Sequence, residues 1–219
     1  MSDERDTHGH AHGHDHPHDH NHPHEAIEAD ESANEFAVMA EAMKELLIEH
    51  GYITADDVRT ALEYMDSRDP AMGARVVAKA WTDPTFKARL IDDAPSACKE
   101  LGIDVSPAHL VVVENTPQIH NVIVCTLCSC YPRTLLGLPP DWYKSRAYRS
   151  RVVIEPRTVL KEFGTELPGN VTVRVHDSNA DLRYIVLPMQ PKGTEGWSED
   201  RLAALVSRDA MVGVTLPHA

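Results

Sequence analysis

The chain has 219 residues, 42% hydrophobic and 25% charged, enough to bury one core and carry an appendage. Its 34 acidic residues outnumber 21 basic ones, for a formal net charge of −13. Such a balance repels phosphate backbones and argues against nucleic acid as a partner.

Residues 1–30 stand apart in composition. His8, His10, His12, His14, His16, His18, His20, His22 and His24 occupy every second position, between Gly, Asp, Asn, Pro and Ala. With no hydrophobic period the segment is expected to be a disordered tail. Imidazole suits Co, Ni, Cu and Zn, so one reading is an auxiliary metal-binding tail; the other is a solvated tail with incidental affinity. A catalytic role is not expected, because such a tail does not preorganise a site. The start at 1–4 has neither the basic nor the apolar region of a secretory leader, and the apolar runs at 110–113 and 122–124 are too short to cross a bilayer. A cytoplasmic location without a membrane partner is the expectation.

Helical periodicity begins near Ala33 and stops at Gly51. Thr54 and Asp57 form a capping-box pattern for a second helix with Val58, Leu62 and Met65 on one face. A third helix is predicted over 71–82. Asp83 followed by Pro84 starts a fourth, through Leu90, and Pro95 a fifth, ending at Gly102. Past Pro107 the pattern changes. Strands are predicted at 109–115 and 121–124, then helix over 142–163 in two pieces divided by Pro156. Strands follow at 171–175 and 183–187, joined by a turn at 177–180, then a helix from Ser198 to about 207 and a closing strand at 211–216. Helices first and a mixed half after them make an α+β class, divided as tail 1–30, helical arm 31–106 and α/β catalytic domain 107–219.

Three of the four cysteines, Cys125, Cys128 and Cys130, fall in a C-x-x-C-x-C string. In a reducing compartment that clustering points to metal or redox chemistry. Three sulfurs from one loop cover one side of an ion. A structural zinc would need a fourth ligand, with Cys98, His109 and His120 as candidates, and an iron–sulfur cluster would want four cysteines. A third arrangement uses deprotonated amides between Cys128 and Cys130 with a trivalent ion, leaving one open Lewis-acid position. Cys98, in the helical half, reads as a small core residue.

The string at 124–130 resembles the metal claw of nitrile hydratase α subunits, and the segments 136–145, 155–160 and 193–198 are similar to that family as well. The resemblance spans roughly 33–217. It implies a helical arm embracing a β subunit and a layered α-β-β-α domain carrying the claw. Thr126 matches the cobalt form, so Co(III), one per chain, is implied over iron. Cys125, Cys128 and Cys130 would supply sulfur, and Ser129 and Cys130 backbone nitrogen. Cys128 would become a sulfinate and Cys130 a sulfenate, early steps of thiol oxidation. Cys130, Ser129 and Cys128 are thereby the implied catalytic residues, nitriles the substrates and amides the products. A cobalt-insertion activator is a further implied partner.

Thr126 and Arg133 are the expected substrate-pocket residues. Arg133 departs from the family, which commonly has Trp there. The sequence Tyr131-Pro132-Arg133 looks like the γ subunit of the related thiocyanate hydrolase, and a guanidinium there would favour an anion. Against this, a long insertion before the claw in that relative is missing here. Arg133 facing a β-subunit carboxylate or solvent is the other reading. A thiocyanate hydrolase γ-type subunit is therefore the alternative function, and a metal storage or delivery protein using the His tail a third. Elsewhere, Asp177 and Arg183 are expected to form an ion pair or anchor the partner. His109 and His120 read as satisfied polar positions. Arg146, Arg149 and Arg151 read as a solvated or interface helix face, and Trp142, Tyr143 and Trp197 as packing or interface residues.

Overall fold

The computed structural model describes residues 34–107 and 109–218. The histidine tail lies outside them. The described chain opens with two helices, α1 (Asn34–Glu49) and α2 (Ala55–Asp66). Gly51, at φ +71°, turns the chain between them. The capping box forms as expected: Thr54 Oγ1 accepts from Asp57 N at 3.1 Å, and Asp57 accepts from Thr54 N at 2.8 Å. Yet α2 buries nothing, and Phe36, Met39, Met43 and Leu62 stay mostly exposed. Much of the apolar faces legible in the sequence is therefore open to solvent, while Val58 and Met65 are half-buried.

Three further helices follow: α3 (Pro70–Thr82), α4 (Pro84–Asp92) and α5 (Ala94–Glu100). Each starts alike, with an aspartate side chain (Asp69, Asp83, Asp93) accepting a first-turn amide and a proline in the first two positions. Helix α3 buries Ala74, Val76, Val77 and Ala80. Gly73 lets it come close to its neighbours; a Cβ there would lie 2.5 Å from Leu136 Cδ2 and 2.7 Å from Met211 Sδ. Cys98 is fully buried, and desolvation pushes its thiol up to about 12, as suits an inert core residue.

Among the described residues four strands make two parallel pairs. Strand β1 (His109–Glu114) pairs with β4 (Leu182–Leu187), and β2 (Ile119–Val124) with β3 (Thr172–Asp177). Strands β3 and β4 are joined by the expected turn but lie in different pairs. Asn179 makes that turn, its Oδ1 accepting from Asp181 N and Leu182 N at 3.0 and 2.9 Å. Parallel pairing needs long crossovers, and the one between β2 and β3 holds four short helices. These are α6 (Arg133–Leu136), α7 (Asp141–Lys144), α8 (Arg146–Ile154) and α9 (Pro156–Glu162).

Several expectations are corrected. The 142–163 region has three helical pieces, because extended Ser145 breaks α7 from α8 and caps the latter by accepting from Tyr148 N. The helix from Ser198 stops early as α10 (Glu199–Ala203). The closing strand is instead α11 (Arg208–Val212), capped by Ser207 and ended by Gly213 at φ +91°. Met211, Val212 and Val214 are buried there, so the β-branched run reflects core position rather than sheet. Arg151 is not a solvated residue; it pairs with Glu155 and Glu162.

Behind the sheets, Trp142 meets Phe163 and Tyr148 edge-on at 4.7 and 4.8 Å, so its packing role holds, and Tyr143 is fully buried beside it. Trp197 instead carries the Arg201 guanidinium over its ring at 3.3 Å. His120 is satisfied internally: Nε2–H donates to Gly213 O at 2.7 Å, which leaves Nδ1 to accept from Asn115 Nδ2 at 3.3 Å. Desolvation holds this imidazole below its ordinary value, so the neutral form suits the network. Fully buried Tyr148 donates to Ile123 O at 2.7 Å. Tyr148→Phe is expected to cost about 1–2 kcal/mol in urea unfolding, because it strands a buried carbonyl.

Candidate metal centre

Strands β2 and β3 end side by side, with Val124 opposite Asp177. Ser178 N donates to Val124 O at 2.7 Å and closes the strand end. The cysteine loop begins at this point. Asp177 holds its first residue, accepting from Thr126 N at 2.9 Å and from Thr126 Oγ1 at 2.5 Å. The far end is held from below, where buried Tyr143 donates to Cys130 O at 2.9 Å. The loop is thus fixed at Ile123, Thr126 and Cys130 by groups from β3, α7 and α8.

Between these ties the three sulfurs converge. Cys125 Sγ lies 3.4 Å from Cys128 Sγ, which lies 3.2 Å from Cys130 Sγ. All three fall within 4.8 Å of one another. Cys125 is buried, Cys130 half-buried and Cys128 exposed, so the group opens on one side. Cys128 N–H donates to Cys125 Sγ at 3.3 Å. The Cys128 thiol is lowered mainly by its contact with Cys130, helped by Cys125 and the amides of Cys130 and Ser129. Burial pushes the Cys130 thiol the other way, to about 12, with Cys128 and Cys125 adding to the rise and Arg183 opposing it.

This donor set fits a thiophilic ion, with Cys125, Cys128 and Cys130 as sulfur donors and the Ser129 and Cys130 amides directed at the Cys128 sulfur. Among the described residues no fourth protein ligand joins them. Cys98 is buried in α5, His109 is exposed at the start of β1, and His120 is hydrogen-bonded to Gly213 and Asn115. The donors therefore suit an ion that keeps an open position better than a closed four-ligand site.

Residues 34–215 match the family described as nitrile hydratase, alpha chain. The chain belongs to this family. It is 50% identical over 188 residues to the cobalt-containing nitrile hydratase subunit alpha of Pseudonocardia thermophila, covering 84% of this chain and 92% of that protein. A recombinant thiocyanate hydrolase with partially modified cobalt centres superposes with a TM-score of 0.79 at 45% identity, over 84% of this chain and 90% of the other. A double mutant of the Fe-type nitrile hydratase from Comamonas testosteroni Ni1 superposes with a TM-score of 0.78 at 46% identity, over 87% and 93%. A nitrile hydratase alpha chain is one subunit of an enzyme that adds water to nitriles, and it works with a partner subunit.

The two expected pocket residues part company. Arg133 lines a cavity of about 730 Å³ together with Tyr131, Pro132 and Arg183. Thr126 is not in that lining, and its hydroxyl is held by Asp177. The expected Asp177–Arg183 ion pair does not form; Asp177 holds the claw, and Arg183 donates to Leu182 O at 3.3 Å. The hydroxyls of Tyr143 and Tyr148 at the loop were not read from the sequence, which carries no sign of where a buried phenol points. Asp177 was legible only with the parallel pairing of β2 and β3 in hand. Asp177→Ala should leave the fold intact but free the loop at Thr126, lowering kcat roughly 10- to 100-fold at unchanged protein solubility, as steady-state kinetics would show.

Proposed function

We propose that this chain is the alpha subunit of a cobalt-dependent nitrile hydratase, active with a β subunit in the cytoplasm, and that a cobalt-insertion activator serves it. The observation that carries this is the convergence of Cys125, Cys128 and Cys130 in a loop tied at both ends and open on one side. In this reading residues 107–219 form a layered α-β-β-α catalytic domain, 31–106 the arm that reaches the β subunit, and 1–30 the tail. The exposed apolar side chains of α1 and α2, among them Phe36, Met39, Met43 and Leu62, support the arm's role.

The residues that would hold the ion are Cys125, Cys128 and Cys130 through sulfur, and Ser129 and Cys130 through backbone nitrogen. Bound there, a trivalent cobalt supplies Lewis acidity toward nitrile or water. Cys128 as sulfinate and Cys130 as sulfenate, formed beforehand by an oxidant such as dioxygen, would present oxygens on the open side of the loop, where the Cys130 oxygen would act as nucleophile or proton acceptor. The Ser129 hydroxyl hydrogen-bonds near them. Buried Tyr143 and exposed Asp177 keep these groups from drifting, a positioning role. One water adds across the C≡N bond: oxygen bonds to carbon, and nitrogen ends with two protons.

The test is elemental analysis of the protein lacking residues 2–24, co-produced with its β subunit in cobalt-supplemented cells. About one tightly held cobalt per chain and amide formation are expected. Zinc in the site despite abundant cobalt would overturn the reading. If several loosely held ions disappear with residues 2–24 and no turnover is seen, storage or delivery through the His tail replaces it. A thiocyanate hydrolase γ-type subunit is the second reading, favoured by Arg133 in the cavity. Assaying thiocyanate beside simple nitriles separates the two.

A further inference from the structure

A network of side-chain hydrogen bonds passes through β2, and its direction is fixed by the backbone. Asn121 N–H donates to Asn115 Oδ1 at 2.7 Å, and Asn121 Nδ2 donates to Glu114 O at 2.8 Å. These two main-chain groups set the orientation of both amides. Asn121 Oδ1 is left to accept from His176 Nε2–H at 2.8 Å, and Asn115 Nδ2 donates to His120 Nδ1 at 3.3 Å. His120 Nε2–H then donates to Gly213 O at 2.7 Å. The network thus joins β3, through β2, to the residue that ends α11.

Its two histidines answer a proton differently. His176 donates through Nε2 in either charge state, so its bond survives protonation. His120 has to accept at Nδ1. A proton there would face the Asn115 amide hydrogens, and turning that amide would set Nδ2 against Asn121 N–H. Among the described residues no carboxylate pairs with the ring to offset its charge. Arg157 of α9 is the charge felt there, and it opposes a proton. On the other sides, β3 sets Val173 opposite His120, between Thr172 and Arg174. Glu114 at the end of β1 pairs with Lys87, and Arg208 with Asp209 on α11. What His120 holds is a close contact. Gly213 lies against β2 so tightly that a Cβ would stand 2.1 Å from Asn121 O. Thr165 Oγ1 holds the next residue, donating to Val214 O at 2.8 Å.

We infer that His120 is an acid-sensitive latch, which fastens the end of α11 to β2 while neutral and loosens it when protonated. Desolvation holds the latched imidazole below its ordinary value, and the released ring returns to about 6.5. Release therefore takes up a proton. The latch holds fully above about pH 6.5 and weakens as pH falls below it, by up to about tenfold per pH unit. Nothing in it draws on the cysteine loop: four residues separate His120 from Cys125.

The experiment follows backbone hydrogen exchange in the full chain, in complex with its β subunit, near pH 7.5 and about pH 5.5, corrected for intrinsic rates. The reporters are the amides of Met211, Gly213 and Val214, which donate to Ser207 O and Asp209 O. Their protection should fall about tenfold at the lower pH in the wild type, and equally in H176Q. In H120Q a neutral amide can donate to Gly213 O and accept from Asn115, so protection should change by less than about twofold. In N115D a carboxylate accepts the Nδ1 proton, so acid should no longer loosen the segment. Wild-type protection that does not fall, whatever the variants do, overturns the latch, and so does an equal fall in H120Q. If H120Q fails to fold, N115D decides: protection kept at the lower pH supports the latch, and protection lost as in the wild type overturns it.

Discussion

Cys125→Ala is expected to lower the cobalt of the co-produced complex from about one per chain to nearly none and to abolish amide formation. Cys125 is the buried member of the triad, and its sulfur meets both the Cys128 thiol and the Cys128 amide. Removing it leaves two sulfurs two residues apart, both on the open side of the loop. Water does not substitute well for a soft thiolate in holding a thiophilic ion. The fold should survive, because a cysteine-to-alanine change removes one small atom from a site tied elsewhere by Asp177 and Tyr143. Cys98→Ala is the matched control: it deletes a buried thiol far from the claw and should leave cobalt content unchanged. Elemental analysis of both variants beside wild type makes the comparison, and a Cys125→Ala protein with full cobalt and activity would end the claw assignment.

Gly213→Ala should be the most destabilising single change to alanine among the described glycines. Gly213 closes α11 at φ +91°, and a Cβ there would lie 2.1 Å from Asn121 O and 3.0 Å from Val122 Cα. Both atoms belong to the backbone of β2, the strand that leads into the claw, so no side chain can swing aside. The Gly213 carbonyl also accepts the His120 hydrogen bond. Left-handed strain alone costs about 1 kcal/mol, and the backbone clash should bring the total to on the order of 3 kcal/mol or more. For a chain of this size that is a fall in Tm of roughly 6–12 °C. Gly164 has a similar φ of +81° but open space where its Cβ would stand. Gly164→Ala should therefore cost only the strain, and the difference between the two variants in thermal unfolding isolates the contact. Equal losses would show that the docking of Gly213 on β2 contributes little.

What the sequence made legible was local. Thr54 with Asp57, and Asp83 ahead of Pro84, mark helix starts because a cap acts within three residues. The sulfur triad was legible for the same reason: its donors are neighbours in the chain. Long-range choices were not. Nothing in the 171–187 region says that consecutive strands join different partners, and the β-branched run after Met211 reads alike whether it closes a helix or a sheet. Asp177 was visible as a charge near a turn, but its role depends on which strand lies beside β3. Arg133 could be placed near the claw by its distance in sequence, whereas Arg183, 50 residues further on, joins it only through the pairing of β4 with β1.

The three sulfurs come from six consecutive residues, with two residues between the first pair and one between the second. The chain entropy of bringing ligands together grows with the length between them, so here it is close to its minimum. Gathering the donors asks nothing of the sheets or of a second subunit; the folded domain contributes orientation and rigidity instead. A chain that has only just exposed residue 130 already carries all three sulfurs of the triad, long before the rest of the domain is complete.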